Sequence, residues 1–169
     1  MGFVNKSPVS VVRNLGSWFD SQLTMCSHVS ELCSVAFYHL YNIRRIRKYL
    51  SQEATGTSVD AFIMSRIDYC NSPLYGFPNS RLAKIQRVLN VSVRLVCNAL
   101  MFCHIKPIMR DLHRLPIRAR NNFKVLLLTL KALHSLAPQY LQPLISNKTS
   151  CYHLRGSNTL FLAMPVSEI

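Results

Sequence analysis

Apolar residues at helical spacing occupy most of the chain from Val29 onward and limit the folds that it can adopt. Val29, Leu32, Cys33, Ala36 and Leu40 recur at intervals of three and four residues. That spacing places them on one face of an α-helix, whereas a half-buried strand would alternate every second residue. Further segments of helical character follow as far as residue 136. The chain is therefore expected to be mainly α-helical.

The N-terminal residues have a different pattern. Residues 8–19 are rich in β-branched and aromatic side chains and are divided by Asn14 and Gly16, which predicts one strand or a short hairpin. A lone hairpin is only marginally stable in water, so this segment needs a partner to pack against. The predicted fold class is mainly α: a helical bundle of about four to five helices with a short N-terminal β-strand or hairpin.

Helices are predicted over about residues 27–50 and 57–71, from Ser80 to at least Val96, and over about residues 104–116 and 117–136. Ser27 and Ser80 are suitable N-cap residues for the first and third of them. The inward faces of the second and third helices are predicted to consist of Val59, Phe62, Ile63, Ile67 and Cys70, and of Leu82, Ile85, Leu89, Val93 and Val96. The last helix is apolar nearly all round and is expected at the centre of the bundle.

Three regions are predicted along the chain. Residues 1–24 form the β element, residues 25–145 form the helical domain, and residues 146–169, which lack a clear hydrophobic period, form a poorly ordered tail. Pro73 lies close to the end of the second predicted helix. A proline inside a helix costs about 3 kcal/mol, so that helix must end before Pro73 or kink there.

The charge of the chain is strongly basic and unevenly distributed. The 169 residues include 20 Lys and Arg against 7 Asp and Glu, a formal net charge of +13. Residues 61–125 alone hold eleven of the basic residues and two of the acidic ones. A basic region of this kind favours binding to a polyanion, and nucleic acid is preferred over a membrane surface, which would require a larger one-sided apolar face.

The basic residues fall into three groups that could contact phosphates in a sequence-independent way. The candidate nucleic-acid-binding residues are Arg44, Arg45, Arg47 and Lys48 in the first group, Lys84, Arg87 and Arg94 in the second, and Arg114, Arg118, Arg120 and Lys124, with Arg110 beside them, in the third. Tyr38, Tyr41 and Tyr49 accompany the first group and either stack on bases or pack as amphipathic residues. The alternative for the basic groups is a solvated surface.

Residues for metal or covalent catalysis are not evident. The seven acidic residues are scattered, whereas a two-metal site requires closely placed carboxylates. Cys97, Cys103 and His104 come closest to a zinc-binding spacing, but no second close pair follows. No catalytic residue, metal site or cofactor is therefore predicted. The six cysteines form no C-x-x-C pair and no apolar leader precedes them, so we expect reduced, buried thiols in an intracellular, nuclear or cytoplasmic protein that is neither secreted nor bound to a membrane.

Several short strings, in order, resemble one family. They are Arg13–Asp20, Ala36–Arg47, Ser65–Ser72, Leu74–Gly76, Ile85–Asn90, Arg94–Val96, Leu112–Ile117 and Ala137–Leu141. Each is weak alone, but the ordered series is similar to the region after the palm in reverse transcriptases of jockey-type non-LTR retrotransposons. The resemblance covers about residues 9–162.

The resemblance implies a C-terminal, thumb-side fragment of an RNA-directed DNA polymerase. Asn14–Asp20 resembles the late palm strand and the helices after it resemble the thumb, which grips the template–primer duplex by its backbone. The family's catalytic aspartates, which hold Mg ions, lie upstream of the matched segment and have no counterpart here. The implied partners are RNA or an RNA–DNA duplex and the catalytic part of the polymerase; the oligomeric state is left open. Arg114 departs from the family pattern, which often has an aromatic residue there.

Two other functions remain open from the sequence. A stand-alone basic α-helical module could bind an acidic protein and would then have no affinity for duplex. An enzyme would require cysteine or metal chemistry, for which the sequence has no local signature.

Overall fold

The computed structural model describes residues 10–145, so the predicted tail at 146–169 lies outside the described residues. The described chain begins with an antiparallel hairpin of β1, Val11–Asn14, and β2, Ser17–Asp20. Leu15 and Gly16 join the strands, and both have positive φ angles, 47° and 87°. Two-residue hairpin turns of this kind require positive φ at both positions, which glycine adopts without steric cost. The predicted hairpin is confirmed.

Helices form most of the rest of the described chain. They are α1, Cys26–Ile46; α2, Gln52–Val59; α3, Ser65–Asp68; α4, Asn79–Cys97; α5, Ile105–Asp111; and α6, Ile117–Leu133. A π-helical turn, Asp60–Met64, joins α2 to α3 without a break. Short 3-10 turns lie at Arg47–Tyr49, Ser72–Leu74 and Gln139–Leu144. The prediction of a mainly α bundle of about four to five helices with an N-terminal hairpin is confirmed.

The helix predicted over 57–71 begins earlier, at Gln52, and contains a π-helical turn. Ser51 caps it, because its hydroxyl accepts a hydrogen bond from the Ala54 N–H at 3.1 Å, and the helix ends at Asp68, before Pro73. The π-helical turn adds one residue to a turn and rotates the following side chains around the axis. Phe62 lies in this turn and is half exposed, so its predicted inward position is wrong.

The start of α1 was also mispredicted. Ser27 is not the N-cap; that position is held by Met25, in the left-handed region. Asp20, at the end of β2, instead accepts hydrogen bonds from the Thr24 hydroxyl and from the N–H groups of Thr24 and Met25. The Thr24 hydroxyl bond contributes most to lowering the pKa of Asp20. The hairpin is thereby joined to the first helix. Helix α4 begins at Asn79, and no side chain caps it, so Ser80 is not its N-cap either.

Helices α1 and α4 pack side by side and run in the same direction. The Arg81 guanidinium, at the start of α4, donates to the Thr24 carbonyl just before α1. At the other end, Arg47, just after α1, donates to carbonyl groups in the last turn of α4. The core between and beside them is mainly apolar, with the polar side chains of Thr55 and Ser92 also buried. Its apolar residues include Ala36, Leu40, Ile43, Val59, Ile63, Ile67, Leu82, Ile85, Val88 and Leu89. All five residues predicted on the inner face of α4 are buried.

The last long helix contains the boundary between two compact units. Among the described residues, one unit ends at Asn122 and the other begins at Phe123, inside α6. The exposed large apolar side chains include Phe123, Leu126, Leu128, Leu130 and Leu133, all on α6. The predicted central position of this helix stays a prediction. The division into residues 1–24, 25–145 and 146–169 stays a prediction.

Within residues 10–145, no helix combines the length and the apolar content that a membrane crossing needs.

Candidate nucleic-acid interface

Arg47 holds the end of the bundle together. Its Nε and one terminal nitrogen donate to the carbonyls of Leu95 and Val96 at 3.0 and 3.1 Å, and the other terminal nitrogen donates to the Leu50 carbonyl at 2.8 Å. Carbonyls in the last turn of a helix lack intrahelical partners, and a cation there also suits the helix dipole. Because these donors are already used, Arg47 has little capacity left for phosphate.

Two more of the predicted binding residues form ion pairs within the protein. Arg114 contacts Asp60 at 2.6 Å, and the Arg114 side chain is largely buried. Arg120 contacts both carboxylate oxygens of Asp68 and donates to the Leu115 carbonyl. Both ion pairs connect residues 114–120 to the helical run 52–68. Their main role is therefore to stabilise the fold.

Arg94 and Arg118 are partly engaged. Arg94 is half-buried; one terminal nitrogen reaches the Cys103 carbonyl at 3.5 Å, and its Nε is buried with no partner among the described residues. Arg118 is exposed and donates to the Asn79 side-chain oxygen at 3.3 Å. These two cations are available to a ligand only in part.

The remaining predicted cations are exposed and form no ion pair with any residue of the range 10–145. Lys124, on α6, and Arg110, in the last turn of α5, are two of them. The other five belong to the unit formed by residues 1–122, and we call them the basic face: Arg44, Arg45, Lys48, Lys84 and Arg87.

The basic face covers parts of both parallel helices. Arg44 and Arg45 lie in the last turn of α1, and Lys48 lies in the 3-10 turn that follows it. Lys84 and Arg87 are three residues apart on the outer side of α4. Lys84 lies close enough to Cys33 on α1 to oppose the effect of burial, which raises the pKa of that thiol. On α1, Cys33 and Arg44 are eleven residues apart, which is close to three full turns, so they share one side of that helix. Lys84 therefore borders the side of α1 on which Arg44 lies.

The tyrosines near the first basic group are on the surface and do not pack in the core. Tyr38, Tyr41 and Tyr49 are 63%, 61% and 76% exposed. The Arg45 guanidinium carbon lies 5.9 Å from the centroid of the Tyr41 ring, and the Lys48 ammonium lies 4.8 Å from that of Tyr49. None of the three is buried in the core, and both interpretations left open by the sequence, stacking on bases and amphipathic packing, stay predictions.

A cavity between the hairpin, α1 and α3 was not anticipated from the sequence. It has a volume of about 410 Å³, and Trp18, His28, Glu31, Arg66 and Tyr69 are among the residues that line it. The His28 Nδ1 accepts a 3.5 Å hydrogen bond from the Trp18 N–H, while its buried Nε2 has no partner among the described residues. No local sequence signal marks this cavity, because its walls come from segments far apart in the chain.

The stability of the chain should depend on pH through His28. Burial lowers the pKa of His28 from its ordinary value of 6.5. The unfolded chain therefore binds a proton that the folded chain resists, so the free energy of unfolding falls as the pH drops below 6.5 and levels off below the lowered pKa. Urea unfolding of the wild type and of His28→Gln between pH 7.5 and 5 should show this component only in the wild type. His113→Gln, at an exposed position, should retain it; a wild-type-like pH dependence in His28→Gln would contradict the assignment.

Metal-binding groups are not assembled in the part of the chain described here. No three His, Cys, Asp or Glu side chains within residues 10–145 come close enough together to hold an ion. The five cysteines in this part are free, and only Cys33 is buried, whereas Cys26 and Cys103 are exposed. The expectation of buried thiols is thus wrong for these two residues.

Comparison with protein-family models, with curated proteins and with solved structures finds no match to this chain.

Proposed function

We propose that the chain is a non-catalytic, thumb-side part of a jockey-type non-LTR retrotransposon reverse transcriptase that grips the backbone of RNA or an RNA–DNA duplex. The family assignment rests on the ordered strings of residues between positions 9 and 162. The binding role rests on one structural observation, which is the basic face. Five exposed cations without an acidic partner in the described chain lie on two helices that are packed in parallel and on the 3-10 turn after the first of them.

The structure also narrows the set of residues to which this role is assigned. Arg47, Arg114 and Arg120 form their hydrogen bonds and ion pairs within the fold, and Arg94 and Arg118 do so in part. We therefore assign the binding role to the five exposed residues of the basic face. Contacts from these residues to phosphates would be largely independent of sequence, and they would release counterions on binding. Affinity for duplex should therefore fall steeply with salt.

A matched pair of double variants tests the proposal. Arg44→Gln with Lys48→Gln removes one Arg and one Lys from the basic face, four residues apart. Lys106→Gln with Arg110→Gln removes the same charges, at the same spacing, from exposed positions of α5. The dissociation constant for a short RNA–DNA duplex is measured by fluorescence anisotropy at several salt concentrations.

In the variant with Arg44→Gln and Lys48→Gln, the slope of log affinity against log salt should become shallower by about 0.9 for each phosphate contact removed, or by about 1.8 in all. The α5 variant should keep the wild-type slope. A flat salt dependence in the wild type, or equal losses in both variants, would overturn the proposal.

The alternative is a stand-alone basic helical module that binds an acidic protein, and the exposed apolar side chains of α6 favour a protein partner. It predicts no measurable affinity for duplex at physiological salt, so the same titration decides between the two functions.

A further inference from the structure

The outer face of α1 carries aromatic side chains opposite the core. Phe37, Tyr38 and Tyr41 lie within an arc of roughly 100° around the helix axis, and all three are exposed. The core residues of α1, such as Ala36 and Leu40, lie on the other side. Tyr38 and Tyr41 are three residues apart, which places them roughly 4.5 Å apart along the axis. That separation is comparable to the ~3.4 Å spacing of bases along one strand.

The aromatic surface continues sideways from α1 onto the π-helical turn. The ring centroids of Tyr38 and His39 are 5.5 Å apart in an edge-to-face arrangement. His39 stacks on Phe62 with centroids 5.3 Å apart and planes inclined by 19°. The displacement of Phe62 by the π-helical turn thus places its ring beside α1. We call Phe37, Tyr38 and Tyr41 the aromatic face; His39 and Phe62 adjoin it through Tyr38.

Cations border this surface, and acids are sparse around it. Arg45 lies against the Tyr41 ring. Arg44 lies about one turn, and Lys48 about two turns, beyond Tyr41. Between Glu31 and Glu53 the chain has no acidic residue. On the neighbouring π-helical turn, Asp60 is paired with Arg114. Aromatic rings interleaved with unpaired cations are what an unpaired nucleic-acid strand requires, because bases stack on rings while phosphates meet cations.

We propose that the aromatic face binds unpaired bases of a single-stranded RNA or DNA segment, with Tyr38 and Tyr41 as the stacking platforms. This inference rests on the proposed function only for the identity of the polyanion. It goes further in assigning a second ligand, a single strand, which would lie beside a duplex held by the basic face. Base stacking is tolerant of sequence because every base has a π-face, so little sequence preference is expected.

The test compares three double variants of the full chain. Tyr38→Ala with Tyr41→Ala removes both rings, Tyr38→Phe with Tyr41→Phe keeps the rings without the hydroxyls, and Tyr75→Ala with Tyr140→Ala removes exposed tyrosines from other places. Binding of a fluorescent unstructured 20-nucleotide RNA and of a duplex of equal length is measured across a range of salt concentrations. Circular dichroism and urea unfolding verify the fold of each variant.

The alanine pair on α1 should weaken binding of the single strand at least about tenfold while leaving its salt slope unchanged, because stacking releases no counterions. The same pair should change duplex affinity by less than about twofold. The phenylalanine pair and the control pair should bind the single strand like the wild type. Unchanged single-strand affinity in the alanine pair, or an equal loss for single strand and duplex, would overturn the inference. If only the proposed binding of duplex were wrong, the affinity for duplex would not depend on salt, whereas the loss of single-strand binding in the alanine pair would remain.

Discussion

Leu89→Ala should lower the free energy of unfolding of the chain by about 3 kcal/mol. Leu89 is 1% exposed and lies on the inner face of α4. Truncation of a buried leucine removes its burial energy and leaves a cavity that the neighbours fill only in part; measured losses run from about 2 to 5 kcal/mol. Urea unfolding followed by circular dichroism measures the change, and the slope of the free energy with urea should stay as in the wild type.

The matched control makes the same substitution on the surface of the same compact unit. Leu100 follows α4 and is 74% exposed. Leu100→Ala should change the free energy of unfolding by less than about 0.5 kcal/mol, because little apolar area is removed from contact. Equal losses in the two variants would mean that Leu89 is not in a packed core.

Periodicity predicted the core of α4 because that helix has both a polar and an apolar side. Leu82, Ile85, Leu89, Val93 and Val96 share one face and are buried, as expected. The opposite side has Lys84 and Arg87 exposed. A helix with two distinct sides can be oriented from its sequence alone.

Helix α6 shows where the same argument stops. Its apolar residues surround the axis, so the sequence contains no information on which side meets a neighbour. Leu126 and Leu130 are exposed whereas Ala132 is buried, and the composition of the helix does not distinguish them. The number of neighbours around a helix depends on tertiary arrangement, which local pattern does not determine.

Local signals explain part of the other differences. Ser51 could have been recognised as an N-cap, because a serine before Gln52, Glu53 and Ala54 has the composition of a helix start. The π-helical turn could not, because an extra residue in one turn is set by packing on both sides. The left-handed conformation of Met25 is equally unpredictable, since a methionine has no preference for it.

The arginines that stabilise the fold have partners that are far away in the sequence. Arg47 meets Leu95 and Val96, 48 and 49 positions further on, and Arg120 meets Asp68 across 52 positions. The charge pattern identifies the cations but not these distant partners. Groups based on the sequence therefore contain both arginines that stabilise the fold and arginines that are exposed. Arg44 and Arg45 precede Arg47 by three and two positions and still have different environments.

Arg47→Ala should therefore affect stability, in contrast to its exposed neighbour. The variant loses three hydrogen bonds from a charged donor to the carbonyls of Leu50, Leu95 and Val96. Bonds to charged groups contribute about 1.5–3 kcal/mol each, and the partial exposure of this site reduces the sum, so we expect a loss of about 2–4 kcal/mol in the free energy of unfolding. Urea unfolding measures it.

Two further variants separate geometry from charge. Arg47→Lys should recover less than half of the loss, because an ammonium cannot supply the planar fork of donors that spans three carbonyls. Arg45→Ala, at an exposed position beside Tyr41, should change the free energy of unfolding by less than about 0.5 kcal/mol but reduce the salt slope of duplex binding. Arg47→Ala should keep the wild-type slope wherever the chain remains folded. The reverse result, in which Arg47→Ala changes the salt slope and leaves the free energy of unfolding unchanged, would contradict this assignment. Arg47 would then contact the duplex and would not stabilise the end of α4.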